Sequence, residues 1–143
     1  MMRAFFDTNV LVYLFDGDAP DKRDAARSLL QQEADAGRAT LSTQVLQEFF
    51  VTITRKLAVP VGHEQAERAV RSLAELSVVQ IDTALVLAGI ELTRRLQVSF
   101  WDALIVGAAL QSGSTVLYTE DLQHGQRIDG LRIANPFVAL QTR

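Results

Sequence analysis

The 143-residue chain contains no cysteine, which excludes a disulfide framework, a thiolate metal site and a cysteine nucleophile together. Proline and glycine are scarce, at 3 and 8 residues, and no stretch rich in them divides the chain. No linker, repeat or disordered segment is therefore expected. Long hydrophobic runs are missing too. Asp, Glu, Arg or Gln interrupts every apolar stretch well short of the roughly 18 residues that a membrane-spanning helix requires. No charged segment followed by a cleavable hydrophobic one opens the chain, so a soluble, cytoplasmic protein without membrane contact is expected. Excess positive charge is also absent: the formal net charge of -3 argues against a dedicated nucleic-acid coat, because polyanion binding usually leaves a basic footprint.

What is present suffices for a core. A hydrophobic fraction of 48% predicts one globular domain over residues 1–143. Short apolar runs predict strands at Arg3–Phe6, Ala39–Leu41, Val78–Ile81, Thr115–Tyr118 and Leu131–Ala134. Amphipathic patterns predict helices at Asp21–Ala36, ending at Gly37, then at Thr43–Leu57 and His63–Leu76, which Pro60 and Gly62 separate. Asp82 can cap a helix over Thr83–Leu96, and Ser99 one over Phe100–Gln111. This alternation predicts a three-layer α/β/α domain with a mainly parallel, five-stranded sheet.

In such sheets functional groups gather beyond the carboxyl ends of the strands. The opening "MMRAFFDTNVLVYLFDG" stops its first strand on Asp7, a carboxylate that is costly to bury without a partner. Asp121, in "TVLYTEDLQHG", follows the fourth predicted strand at the same end. Asp102 lies in the first turn of the otherwise apolar "SFWDALIVGAALQSG", and Glu48 stands beside Phe49 and Phe50 in "STQVLQEFFVTITRKL". Together they suggest four carboxylates converging at one edge of the sheet. Each also has a plainer reading. Asp7 can N-cap a helix starting at Thr8, and Asp102 can complete a capping box with Ser99. Glu48 falls on the flank of the stripe formed by Leu46, Phe49, Phe50 and Ile53, as a solvated helix residue would. Asp121 can be a loop acid, with Glu120 competing for its role.

"FFDTNVLVYLFD", "QEFF", "FWDALIVGAAL" and "YTEDLQHG" leading to "LRIANPF" occur in that order over almost the whole chain. In this it resembles the PIN-domain nucleases, and among them most the VapC-like toxins of type II toxin-antitoxin pairs. The resemblance implies acidic metal ligands at Asp7, Glu48, Asp102 and Asp121, with supporting polar roles for Thr8, Asn9 and Thr119. Asp16, Asp18, Asp82 and Asp129 match no motif acid. It further implies a metal-dependent endoribonuclease that leaves a 5′-phosphate and a 3′-hydroxyl. A homodimer and a cognate antitoxin, which inserts a segment near the active site, are implied as partners.

Clustered carboxylates repel and raise one another's pKa, and a divalent cation resolves the repulsion. An all-oxygen set without Cys, and with neither His63 nor His124 in an evident ligand spacing, favours Mg²⁺ or Mn²⁺ over Zn²⁺. Two such ions would turn the formal -3 into a net charge of +1, so metal and RNA should bind cooperatively. Arg55, Lys56, Arg94, Arg95 and Arg127 are either solvated surface charges or contacts to flanking phosphates. His124 is either a substrate contact or a loop-stabilising group. For Phe15, Phe49, Phe50, Phe100 and Trp101, core or interface packing outranks base stacking. Two rival functions stand beside the nuclease. One is a phosphatase with Asp7 as nucleophile, although Asn9 occupies the place of the second acid in its D-x-D pattern. The other is a non-catalytic RNA-binding or regulatory domain of the same fold.

Overall fold

The structure, a computed structural model, describes residues 2–142. Strand β1 (Arg3–Phe6) leads into the short helix α1 (Thr8–Val12), a 3₁₀ turn over Tyr13–Phe15 and helix α2 (Pro20–Asp35). Then come β2 (Ala39–Ser42), α3 (Thr43–Arg55), α4 (His63–Leu73), β3 (Ser77–Val79), α5 (Thr83–Leu96) and α6 (Phe100–Gln111). The chain closes with β4 (Ser114–Tyr118), β5 (Arg127–Ile128), β6 (Leu131–Ala134) and a 3₁₀ segment over Val138–Thr142.

The sheet order is β3-β2-β1-β4-β6-β5. All neighbours are parallel except β5, which runs antiparallel to β6. The sheet therefore has six strands rather than the five expected. The added β5 pairs Ile128 with Leu131 across Asp129-Gly130, whose φ angles of 49° and 87° are both positive, as a two-residue hairpin turn of the primed type requires. β3 is also displaced from Val78–Ile81 to Ser77–Val79. Its partner β2 ends where Ser42 caps α3, so beyond Val79 no ladder remains, and the Ile81 amide donates to Thr43 Oγ1 instead.

Successive residues of a strand face opposite sides of the sheet, yet Phe5 and Phe6 are both fully buried. Both faces are therefore covered around β1. α6 is buried along its whole middle, from Ala103 to Ala109, which explains its lack of an amphipathic pattern. α5 packs closely on it: a Cβ at Gly89 would lie 2.9 Å from Leu104 Cδ2. Covering is thinner beside β4 and β6, where Ala4, Val116 and Ala134 form a small separate cluster with the half-buried Tyr118. Among the described residues no helix is long and apolar enough to cross a membrane.

Candidate active site

Asp7, at the carboxyl end of β1, is bound on both sides of its carboxylate. Oδ1 accepts from the Thr8 amide at 2.7 Å and caps α1; Oδ2 accepts from Thr119 Oγ1, also at 2.7 Å. The capping reading and the site reading thus coexist in one side chain. Parallel pairing of β1 with β4 creates this meeting, because Phe6 lies opposite Tyr118 and the next residue on each strand is Asp7 or Thr119. Thr119 is wholly buried, and its one oxygen also accepts from Asn9 Nδ2 at 3.3 Å and from the Asp121 amide at 3.1 Å. One donor and two acceptor positions exhaust a hydroxyl. Asn9 Oδ1 in turn accepts from the Glu120 amide at 3.2 Å. Thr119 and Asn9 therefore shape the loop that presents Asp121.

Asp102 enters from α6. Ser99 Oγ caps that helix by accepting from the Asp102 amide at 3.1 Å, and the carboxylate lies on the side facing β1 and β4. Ligand oxygens of Asp7, Asp102 and Asp121 all fall within 4.8 Å of one another. Glu48, on α3, lies outside this group of three but lines the same cavity. Thr8 Oγ1 donates to Glu48 Oε1 at 2.9 Å. The cavity, of 410 Å³, is bounded by α1, α3, α6 and the Glu120–Asp121 loop.

The electrostatics are unfavourable for an empty site. Burial, opposed by the hydrogen bonds from Thr119 and Thr8 and aided by the charges of Asp121 and Glu48, pushes the Asp7 carboxyl up to about 7. Burial also raises Asp102, with the charge of Asp121 adding to it and Ser99 opposing. Desolvation thus outweighs the mutual repulsion that the sequence suggests as the leading cause. Among the described residues no Lys or Arg forms an ion pair with any of the four acids. Converging carboxylate oxygens without a cationic partner fit a hard divalent ion, for which oxygen-only ligand sets are the rule. Asp7, Asp102 and Asp121 could hold such an ion between them, and Glu48 lines the same cavity outside that group.

Glu120 lines the cavity but is engaged elsewhere. Its Oε1 accepts from Tyr13 Oη at 2.8 Å, and its Oε2 pairs with Lys22 Nζ at 2.7 Å. Lys22 also lies 4.9 Å from the Tyr13 ring centre. His124 serves its own loop, since its Nδ1 accepts from the Asn135 amide at 3.0 Å. Lys56 lines the acidic cavity, whereas Arg95 is paired with Asp129 at 2.6 Å. Phe15 and Phe49 meet edge to face at 6.1 Å, with Phe49 in the core; Phe50 packs on His63. Trp101 is 61% exposed at the cavity rim. Sequence reasoning misses Gln44, which is buried and donates through Nε2 to the Trp101 carbonyl at 3.2 Å, tying α3 to the start of α6. Nothing in its local pattern marks it. Tyr13 and Lys22 are likewise missed, since their partner lies about a hundred residues away.

A family model described as the PIN domain matches residues 4–129. A comparison with curated protein sequences finds no match. Among solved structures, the chain is similar to DNA-bound VapBC from Salmonella typhimurium (TM-score 0.67, 23% identity, 95% of this chain and 99% of that one). It is similar to a toxin-antitoxin complex from Klebsiella pneumoniae (TM-score 0.70, 22% identity, 93% and 97%). It is also similar to VapC20 of Mycobacterium tuberculosis, a sarcin-ricin loop cleaving toxin (TM-score 0.67, 22% identity, 82% and 89%).

Proposed function

Because the chain belongs to the PIN-domain family, we propose that it is a metal-dependent endoribonuclease acting as the toxin of a toxin-antitoxin pair. The observation that carries this reading is the approach of ligand oxygens of Asp7, Asp102 and Asp121 to within 4.8 Å of one another, in a cavity of 410 Å³. Similarity in fold to toxin-antitoxin complexes supports a cognate antitoxin as partner; a homodimer and a cytoplasmic site of action complete the proposal.

In this reading Asp7, Asp102 and Asp121 would hold Mg²⁺ or Mn²⁺, with Glu48 at the wall of the same cavity as a further acidic group. When bound, the ion supplies Lewis-acid charge against the oxygens of the scissile phosphodiester. The chain supplies the frame. Thr119 holds Asp7 Oδ2, Thr8 holds both Asp7 Oδ1 and Glu48, and Asn9 sets the loop behind Asp121. Burial of Asp7 makes its charge expensive until a cation arrives, so metal binding and ionisation of Asp7 are coupled. Water is the attacking group and no side chain becomes covalently attached; the bond to the 3′-oxygen breaks, leaving a 5′-phosphate. Asn9 spends its side chain on Thr119 and the Glu120 amide, which argues against a phosphatase that needs an acid there.

The test is incubation with labelled single-stranded RNA and, separately, a phosphomonoester, each with Mg²⁺, Mn²⁺ or EDTA. Cleavage of RNA alone, abolished by EDTA and by Asp102→Asn, is expected. Release of phosphate from the monoester would support the phosphatase. Tight RNA binding without cleavage under any metal would support the non-catalytic domain.

A further inference from the structure

The incompletely covered face of the sheet carries a second cavity of 410 Å³, the same size as the acidic one and opposite to it in charge. Ala4, Val116 and Tyr118 are among its lining, and Arg3, Arg38, Arg127 and Arg132 line it as well. Only one acid, Glu33, is present, and Arg38 Nη2 holds it at 2.8 Å. Arg3 donates to Ser77 Oγ. Among the described residues neither Arg127 nor Arg132 has a carboxylate partner.

Those two arginines are directly opposite each other in the β5–β6 ladder, and both are exposed. Like charges in opposed positions destabilise a sheet. The hairpin thus carries an opposed pair of like charges that no carboxylate among the described residues pairs with, on a chain whose formal net charge is -3. An anion bound between the guanidiniums would remove the repulsion and gain from their planar, forked geometry, which suits phosphate oxygens.

We propose that this groove binds the phosphate backbone of single-stranded RNA, as a holding site separate from the acidic cavity. The identification of the anion as RNA rests on the ribonuclease reading. Arg132 lies opposite Val116, three residues before Thr119, which is about 10 Å along a strand at roughly 3.3 Å per residue. A strand engaged at the acids thus has phosphates within a few nucleotides of the groove. The apolar floor and the Tyr118 ring offer bases a surface that sequence-tolerant binding uses. Unlike the acidic cavity, this groove attracts RNA before any cation is bound, which overcomes the repulsion expected of an acidic chain.

The test uses the whole chain in EDTA, a fluorescein-labelled 12-nucleotide oligouridylate, and fluorescence anisotropy over a range of salt. An Arg127→Gln/Arg132→Gln variant should bind at least tenfold more weakly. The slope of log affinity against log salt should fall by about 1.4, since each lost contact on a single strand contributes roughly 0.7. Melting without RNA should show the variant at least as stable as wild type, as relief of the opposed charges requires. Unchanged affinity and slope would overturn the groove, as would oligoglutamate of equal charge binding more tightly than the RNA. Adding Mg²⁺ to the same mixtures separates the two readings. Cleavage by wild type together with unimpaired binding by the variant would overturn the groove alone. Absence of cleavage together with lost binding would overturn the nuclease alone and leave the groove as an RNA site.

Discussion

Thr119 Oγ1 donates to Asp7 Oδ2 at 2.7 Å, and 112 positions of sequence separate the two residues. The bond joins the ends of two adjacent parallel strands and makes the threonine hydroxyl the centre of the site's polar frame. It fixes one carboxylate directly, and it fixes Asp121 through the amide that the same oxygen accepts.

Thr119→Val should therefore affect both stability and turnover. The substitution keeps the shape but leaves Asp7 Oδ2, Asn9 Nδ2 and the Asp121 amide without their shared partner. A loss of about 1–3 kcal/mol in urea melts is expected, as for buried polar groups left unpaired. RNA cleavage should fall by at least about tenfold, through misplacement of two acids. Thr119→Ser should restore most of both.

Asp7→Asn should separate stability from function. The Asp7 carboxyl rises from 3.8 to about 7 on folding, so below the lower value both states are protonated and the group is neutral toward stability. As pH rises from there to about 7, the unfolded chain releases its proton first and stability falls, levelling off above. Full burial of the charge corresponds to a penalty on the order of 4 kcal/mol. Part of the gain from Asn is lost because its amide nitrogen cannot accept from both donors as the carboxylate does. In EDTA the variant should exceed wild type by about 1–3 kcal/mol at pH 8, with the gap about 2–3 kcal/mol smaller at pH 5. Denaturant melts at both pH values check this, and the variant should cleave no RNA. A variant less stable than wild type at pH 8 would mean that Asp7 serves mainly as a cap.

Glu120 and Asp121 are adjacent acids with different fates. Glu120 is satisfied by Tyr13 and Lys22, so Glu120→Gln should keep cleavage within about threefold of wild type and lose under about 1 kcal/mol. Asp121→Asn should lose at least about a hundredfold, consistent with the removal of an electrostatic group from the reacting centre. Initial rates on one RNA decide between them, and the reverse pattern would reassign the ligand.

Metal should stabilise the folded chain in proportion to its binding. At a free Mn²⁺ or Mg²⁺ concentration of about 100 Kd, wild type should gain about 2.7 kcal/mol over EDTA. Asp102→Asn should gain far less, because one of the three converging oxygen groups no longer carries charge. Thermal melts across a metal titration measure the difference, and equal shifts for both proteins would place the ion elsewhere.

Much of the fold is legible in the sequence. Strands β1, β2, β4 and β6 follow from short apolar runs, since most of their side chains are buried and the single exposed positions in β4 and β6, Thr115 and Arg132, do not make a regular polar alternation. Asp7 and Asp102 stand out because each interrupts an apolar pattern, whereas Glu48 and Asp121 are singled out only by the motifs that resemble the family. Other features are legible but easily passed over: Asp129-Gly130 is a strong hairpin signal, yet the strand before it has only two residues. Some could not be read at all. The dual role of Asp7 depends on the register that puts Phe6 opposite Tyr118. The engagement of Glu120 depends on Lys22, a residue whose own helix gives it no distinction from the other lysine, Lys56. Such pairings exist only in three dimensions.

Parallel pairing of β1 with β4 also sets the moment at which the site comes into being. Strand β1 waits for one that begins at Ser114, so no nascent chain that stops short of Asp121 holds the acids together. The earliest elements can form local helices as they leave the ribosome, but the long-range ladder closes late and comparatively slowly. A growing chain of this kind therefore holds its acids apart, and the cluster of Asp7, Asp102 and Asp121 assembles only after the segment carrying Asp121 has emerged.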